Sequence, residues 1–141
     1  MAQYAGEEWF DLVDAEGRVT GRAPRRVCHS RPGLLHPVVH LHILDDRDRL
    51  FLQKRSPAKE IQPDRWDTAV GGHVRSGEAV EQALKRETAE ETGLEGLKAQ
   101  PLARYVWQSE VESELVFMFV ARSRQEPRVD PAESSEGRFW K

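Results

Sequence analysis

The sequence has a single cysteine, no long apolar run and no excess of basic residues. Because Cys28 stands alone, an internal disulfide framework is excluded and a reducing compartment is expected. The longest apolar run, Leu115 to Ala121, covers seven residues, whereas a membrane helix needs about 20. The first residues lack the basic patch and apolar stretch of a secretion signal. These absences predict a cytoplasmic protein without a membrane partner.

Charge and length further limit the partners and the domain organisation that are expected for this protein. Lys and Arg number 21 against 24 Asp and Glu, which gives a net charge of −3. Such a balance does not favour binding to a nucleic-acid backbone or to an anionic membrane, so neither is expected as a partner. A chain of 141 residues fits one domain, and its 38% apolar residues suffice for a core. We therefore predict a single domain over residues 1–141.

The hydrophobic pattern predicts several strands around one long helix. The helix is expected over Glu78 to Thr92, with Ser76 or Gly77 as its cap and Gly93 ending it. The predicted strands are Trp9 to Val13, Arg18 to Gly21, His36 to Leu44, Leu50 to Lys54, Trp66 to Val70, Arg104 to Gln108 and Leu115 to Arg122, with Phe139-Trp140 opening a last one. A helix packed on such a sheet indicates the α/β (α+β) class, with the strand order left open.

The predicted helix places carboxylates on its apolar side. With Val80 as reference, Glu87 and Glu91 fall within about 20° of it, and Glu90 lies beside them. Carboxylates that point toward the body of a domain repel one another and lose hydration. Raised pKa values, arginine partners or a hard divalent cation could each offset that cost. We favour the cation, because Arg86 alone cannot neutralise three charges and an oxygen-rich patch suits Mg²⁺ or Mn²⁺.

A glycine pair, Gly71-Gly72, follows the short strand that precedes this helix. Such a pair lets the backbone approach a ligand closely, permits unusual φ angles and leaves carbonyls available to a cation. A plain tight turn explains the pair equally well. Combined with the acidic helix, however, the pair predicts a metal-assisted phosphate site in which a carboxylate accepts a proton from water.

These residues resemble the Nudix box. The chain has Gly72, five residues, Glu78, seven residues and then the run from Arg86 to Leu94, Arg-Glu-Thr-Ala-Glu-Glu-Thr-Gly-Leu. Every fixed position of the box over residues 72–94 is present, and only Thr88 stands where an aliphatic residue is usual. The resemblance implies the Nudix α/β/α sandwich with a mixed β-sheet and a loop–helix–loop catalytic element. It also implies hydrolysis of a diphosphate bond in a nucleoside diphosphate derivative or a related organic diphosphate.

The resemblance also assigns roles to individual residues. It makes Glu87, Glu90 and Glu91 the ligands of Mg²⁺ or Mn²⁺, with the carbonyl of Gly71 or Gly72 as a further ligand. Glu87 is the first choice for the base that activates water, and Arg86 and Glu78 pair to brace the helix. Weaker candidates for the base or a ligand are the loop carboxylates Glu133 and Glu136. The residues expected to contact a small-molecule diphosphate substrate are Arg55, Gly72 and His73.

A narrower resemblance joins the chain to the isopentenyl-diphosphate isomerase branch of the same fold. The residues that carry it match the metal set of that isomerase: His29, His36, His73, Glu112 and Glu114. They form an alternative second metal site. Isomerase activity is opposed by Gly71, which stands where the isomerase has a catalytic Cys and cannot move a proton to or from carbon. The isomerase also has a degraded box, whereas this one is complete, so hydrolysis leads and isomerisation is the alternative.

The box does not select a substrate, and nucleotides, sugar nucleotides and isoprenoid diphosphates all stay open. Many family members dimerise, which leaves a homodimer open as the assembly. Relatives continue into a C-terminal helix at about the point where this sequence stops, Phe139 to Lys141. We therefore expect either a domain that lacks this helix or a fragment, and loss of the helix could weaken activity.

Overall fold

The computed structural model describes residues 7–30, 32–58, 64–129, 131 and 134–141. Two helices are present in this part of the chain, α1 (Arg25–Cys28) and α2 (Val80–Thr92). The nine strands are β1 (Trp9–Val13), β2 (Val19–Pro24), β3 (Leu35–Leu44), β4 (Leu50–Arg55), β5 (Trp66–Thr68), β6 (Val70–His73), β7 (Gln100–Gln108), β8 (Ser113–Arg122) and β9 (Ser134–Trp140). The predicted mixture of strands around one long helix is confirmed. No helix of the described ranges is long and apolar enough to cross a membrane.

The strands form a hairpin and one mixed sheet. Strands β1 and β2 pair with each other, antiparallel, and Phe10 of β1 makes a single antiparallel bridge to Arg75, which lies shortly after β6. In the seven-stranded sheet, β3 pairs in parallel with β8, and the remaining ladders are antiparallel. Strand β6 pairs with β3 while β5 and β9 pair with β4, and β7 lies at the edge beyond β8. The mixed sheet that the Nudix resemblance implied is therefore present.

The two faces of the sheet differ in what covers them. On one face, here called the helix face, Val39, Leu41 and Ile43 of β3 pack with Phe51 and with α2 in the main core. Because side chains alternate along a strand, the intervening residues point to the opposite face. On that face Val38 and Val116 are buried, whereas further along the strands the residues are only partly buried, namely His40, His42, Leu52, Thr68, Met118 and Val120. We call it the open face.

Helix α2 begins later than the sequence predicted. Its N-cap is Ala79, whose N–H is accepted by the Gln82 side chain at 2.9 Å. The expected caps are engaged otherwise, because the Ser76 hydroxyl donates to Asp11 at 2.7 Å and Gly77 forms a turn with a φ of +80°. The predicted end is confirmed, since Gly93 takes the left-handed conformation at φ +74°.

The glycine pair does not sit after a strand, as predicted, but inside β6, opposite Val39 and His40 of β3. Neither glycine has a positive φ, so the expectation of unusual backbone angles there is wrong. The single strand predicted over Trp66 to Val70 is divided at Ala69 into β5 and β6. Glycine has low strand propensity, and that propensity made the pair look like a strand end.

Candidate active site

Arg86 of helix α2 joins Glu78, which precedes the helix, to the end of strand β6. Its Nε and Nη2 atoms donate to the two oxygens of Glu78 at 2.9 and 3.0 Å, a bidentate pair. The Nη2 atom also donates to the His73 carbonyl at 3.0 Å, and Nη1 donates to Glu87 at 2.8 Å. The Glu78 hydrogen bond is the main cause that raises the pKa of Arg86. Arg86 and Glu78 are thus placed to brace the helix and to orient Glu87.

Glu87 lies against the backbone of Gly72. A Cβ atom built on Gly72 would lie 2.3 Å from the Glu87 Cδ and 2.6 Å from each carboxylate oxygen. No side chain fits at that distance, so glycine at position 72 is what admits the carboxylate. The side chain of Glu87 is 15% exposed. The helix face therefore holds a half-buried carboxylate against the sheet at this point.

Glu91 lies one helical turn further on and faces Gly71. The Gly71 N–H donates to the Glu91 oxygens at 3.3 and 3.5 Å, and the Gln53 amide donates to Glu91 Oε1 at 3.3 Å. Burial, followed by the hydrogen bond and the charge of Glu87, raises the pKa of Glu91 to about 9. Without a cation, the raised pKa favours a protonated Glu91 beside Glu87 at neutral pH. A divalent cation bound between them would remove the need for that proton.

The carbonyl that is available to a cation is that of Gly71. Val74 N–H donates to the Pro37 carbonyl at 3.1 Å, and Gly72 lies opposite Val39 in the same ladder. Hydrogen-bonded and non-hydrogen-bonded pairs alternate in an antiparallel ladder, so Gly72 bonds to β3 while Gly71 points away from it. The Gly71 N–H toward Glu91 agrees with this alternation. Of the two predicted carbonyl ligands, the ladder thus leaves Gly71 free for a ligand and engages Gly72.

Glu90 occupies the margin of the site. Its side chain is 54% exposed, and its Oε2 lies 3.6 Å from the Arg86 Nη1. Arg86, which also contacts Glu87, thus links Glu90 to the two half-buried carboxylates of Glu87 and Glu91. The arrangement provides three carboxylates and one carbonyl, all oxygen donors, which is the donor set that Mg²⁺ and Mn²⁺ prefer.

The remaining predicted residues lie elsewhere. Arg55 ends β4, and its Nη1 lies 3.6 Å from Asp67 Oδ2. Glu136 is exposed on β9 opposite Lys54. Glu133 lies outside the described residues.

A second cluster of potential ligands lies around the end of β6. The ligand atoms of His29, His36, His73 and Glu112 all lie within 4.8 Å of one another. His29 Nε2 lies 3.1 Å from His73 Nε2 and 2.8 Å from Glu112 Oε2. Glu114 Oε2 lies 3.6 Å from His73 Nε2. The five residues of the alternative metal site are thus adjacent in space. His36, His73 and Glu114 lie on three strands, His29 follows α1 and Glu112 directly precedes β8.

The protonation of this cluster suits a metal ion. His36 is fully buried, and its Nδ1 donates to the Leu34 carbonyl at 2.9 Å. This leaves Nε2 as an unprotonated acceptor that has no hydrogen-bond partner among the described residues. Burial lowers the pKa of His36 and, far more strongly, of His73. Burial and the neighbouring Glu112 raise the pKa of Glu114 to about 8, whereas the His29 hydrogen bond lowers the pKa of Glu112. Neutral imidazoles beside a carboxylate are typical of a transition-metal site.

Two residues of these sites were not predicted. Gln53 is anchored to the Ala69 carbonyl at 2.9 Å and to the Ser134 hydroxyl at 2.6 Å while it contacts Glu91. Phe10 stacks on the His73 ring, with centroids 4.6 Å apart. The alternation of β4 could have placed Gln53 on the helix face, but no sequence signal links Phe10 to a histidine far along the chain.

Comparison with known proteins shows the family to which the chain belongs. Residues 34–141 match the NUDIX domain. The chain is 30% identical to a Nudix hydrolase of Deinococcus radiodurans over 138 residues, which are 94% of this chain and 78% of the relative. A crystal structure of a Deinococcus radiodurans protein, also 30% identical, superposes with a TM-score of 0.80 over 94% of this chain and 83% of that one.

An isomerase is also among the relatives. The isopentenyl-diphosphate Delta-isomerase of Streptomyces griseus is 34% identical over 136 residues, 92% of this chain and 69% of the relative. An uncharacterised Nudix hydrolase of Listeria monocytogenes is 39% identical over 88 residues, and the chain covers 52% of its length. The chain thus spans between about half and four fifths of these relatives. This chain belongs to the Nudix family. Its similarity to Nudix hydrolases identifies it as an enzyme of the pyrophosphohydrolase class.

Proposed function

We propose that this chain is a Mg²⁺- or Mn²⁺-dependent hydrolase that cleaves a diphosphate bond in a nucleoside diphosphate derivative or a related organic diphosphate. The observation that carries the proposal is the contact of the acidic helix with β6. Glu87 fills the space that a side chain at Gly72 would need, and Glu91 receives the N–H of Gly71. Within the Nudix box, two half-buried carboxylates thus lie beside the Gly71 carbonyl at one point of the sheet.

In this proposal Glu87, Glu90, Glu91 and the Gly71 carbonyl hold the cation. When bound, the cation neutralises charge on the phosphate oxygens. Glu87 is the base that accepts a proton from water as the water oxygen attacks one phosphorus. The bond from that phosphorus to the bridging oxygen then breaks, and the other phosphate leaves. Arg86 holds Glu87 in orientation through the 2.8 Å contact, and Glu78 in turn holds Arg86.

We propose further that the cluster around His73 is a second metal site. The buried, unpartnered Nε2 of His36 supports it, since an unprotonated imidazole nitrogen without a hydrogen bond is costly unless it has a ligand. The same residues support isomerisation as the second candidate function. Against that function stands Gly71, where no side chain can exchange a proton with a substrate carbon.

The test compares wild type with Glu91→Gln and with the matched control Glu81→Gln, an exposed carboxylate on the same helix. Each is incubated with Mg²⁺ or Mn²⁺ and with nucleoside diphosphates, triphosphates, sugar nucleotides or isopentenyl diphosphate. Products are resolved by chromatography, and circular dichroism checks folding. We expect metal-dependent cleavage that falls by several orders of magnitude in Glu91→Gln and stays unchanged in Glu81→Gln.

Near-wild-type turnover by a folded Glu91→Gln variant contradicts the site assignment. Formation of dimethylallyl diphosphate without cleavage of any substrate contradicts hydrolysis and supports the isomerase.

A further inference from the structure

Two indole rings and a guanidinium form a cluster where β9 meets the open face. The rings of Trp66 and Trp140 lie edge to face, with centroids 5.1 Å apart. The Arg138 guanidinium lies 3.7 Å from the Trp140 centroid and 5.5 Å from that of Trp66. Arg138 is exposed and both indoles are only partly buried. We call these three residues the aromatic platform, and neither predicted site uses any of them.

The packing of β9 fixes which way the platform faces. A Cβ atom on Gly137 would lie 2.5 Å from Phe51 Cζ, so β9 lies directly on the core at that residue. Phe139 packs edge to face on Phe51, with centroids 5.2 Å apart, on the helix face. Because side chains alternate along a strand, Arg138 and Trp140 then point to the open face. The glycine and the phenylalanine thus hold the platform in place from the other side of the sheet.

The open face also adjoins the site formed by Glu87, Glu90, Glu91 and the Gly71 carbonyl, here called the acidic site. A Cβ atom on Gly71 would point at His40 and Thr68, at 3.5 and 3.7 Å, while the N–H of Gly71 reaches Glu91. Gly71 is therefore the point at which the carboxylates meet the open face. Trp66 lies two residues before Thr68 on the same face of β5, which is about 7 Å along a strand. A phosphate held at Gly71 has the platform within reach of the group attached to it.

We infer that the aromatic platform binds the nucleobase of a nucleoside diphosphate derivative. This inference rests on the proposed hydrolase site for the position of the phosphates. Indole and guanidinium planes stack on flat π-systems. A base offers a flat π-face to the indole and guanidinium planes, whereas the alkyl chain of an isoprenoid has no such face to stack.

The test measures binding without turnover. In the Glu91→Gln background, with Mg²⁺, tryptophan fluorescence is titrated with ADP, GDP, CDP and UDP, and with inorganic diphosphate and isopentenyl diphosphate as probes without a base. We expect quenching and tighter binding with at least one nucleoside diphosphate. Trp66→Ala and Trp140→Ala are expected to weaken that binding about tenfold or more. Trp66→Phe keeps a ring and is expected to restore most of the affinity.

The matched control is Trp9→Phe. Trp9 is an exposed tryptophan with its own arginine, Arg22, 5.3 Å from the ring, and it lies on the β1–β2 hairpin. This variant is expected to bind the probes as the parent does. With active protein, Trp66→Ala is expected to raise the KM for a cleaved nucleotide and to leave kcat within a few-fold.

Equal affinity for UDP, ADP and inorganic diphosphate, or unchanged nucleotide affinity in a folded Trp66→Ala variant, overturns the inference. Equal loss of kcat and of inorganic diphosphate binding in that variant does so too, because it indicates a purely structural role. Binding that depends on Trp66 in a protein without hydrolytic activity would instead refute the proposed hydrolysis and leave the platform standing. Failure of nucleobase binding and failure of the proposed hydrolysis therefore give different results in these experiments.

Discussion

At position 72 a single methyl group is expected to disable the acidic site. In Gly72→Ala the new carbon would overlap the Glu87 carboxylate, which must move away from β6. We predict a fall in kcat of at least about tenfold, with a higher Mg²⁺ requirement. Steady-state kinetics over a range of Mg²⁺ concentrations measure both quantities.

The adjacent glycine supplies the control for that substitution. A Cβ on Gly71 meets His40 at 3.5 Å, an ordinary contact, and alanine keeps the backbone carbonyl. Gly71→Ala should therefore stay within a few-fold of wild type. An equal loss in the two variants would mean that flexibility of the pair, and not the space taken by Glu87, is what matters.

The raised pKa of Glu91 makes the metal-free protein sensitive to alkali. The pKa of this carboxyl moves from 4.5 to about 9 on folding. Between those pH values the folded state binds more protons than the unfolded state, so stability falls as pH rises. We predict a melting temperature in EDTA that declines between pH 5 and pH 9 more steeply in wild type than in Glu91→Gln, by several degrees. Parallel curves for the two proteins would show that Glu91 is already ionised in the folded state.

At the scale of the element, Arg86 is what fixes α2 to the sheet. Lysine cannot reproduce the bidentate pair with Glu78 together with the contacts to His73 and Glu87. We predict that Arg86→Lys lowers the free energy of unfolding by about 1–3 kcal/mol, as judged by denaturant titration. Arg124→Lys is the control, because that side chain is 91% exposed and lies 4.0 Å from Asp46. A loss of similar size in both variants would contradict the bracing role.

The elements themselves were predictable to different degrees. The helix and the central strands follow from hydrophobic periodicity, and Gly93 correctly ended α2. The short helix α1 has no periodic pattern and was missed. Strand β9 begins at Ser134, well before the predicted Phe139, because its polar residues pair with β4 through the backbone. Strand β7 begins at Gln100, not Arg104, and is exposed along its whole length, which removes the pattern of burial that reveals a strand.

At the scale of the whole molecule, the cluster around His73 joins the N-terminal segment to the sheet. His29 follows α1, outside the residues that match the Nudix domain, whereas His36 and His73 lie within it. A metal ion bound there would favour the folded state by mass action, by about 2.7 kcal/mol at a concentration 100 times its Kd. We predict that Zn²⁺ or Mn²⁺, added with excess Mg²⁺ to fill the acidic site, raises the melting temperature by several degrees.

The same experiment on His29→Ala should lose most of that rise. His42→Ala is the control, since His42 lies on β3 outside the cluster. Metal analysis after gel filtration should find the ion retained by wild type and by the control variant only. Retention by His29→Ala would place the ion elsewhere.

The sequence indicated the acidic site because its ligands lie within one helix and one strand, at spacings that a motif records. Gln53, which contacts Glu91, and Phe10, which stacks on His73, lie on other elements, and only tertiary packing brings them to these residues. The same holds for Trp66, Arg138 and Trp140, which are far apart in the chain and meet because β9 pairs with β4. These contacts between distant elements were therefore beyond prediction from the residues alone. The cluster around His73, which also joins distant elements, was indicated only by the resemblance to the isomerase.

The free carbonyl of Gly71 has a consequence for how the fold can evolve. A ligand that comes from the main chain survives any substitution of the side chain, and the space in front of Gly71 accepts a small side chain without a clash. A mutation there can therefore add a reactive side chain while the main-chain carbonyl stays available to a cation. Position 71 is thus a place where a single substitution can change the chemistry of the site without the loss of a ligand.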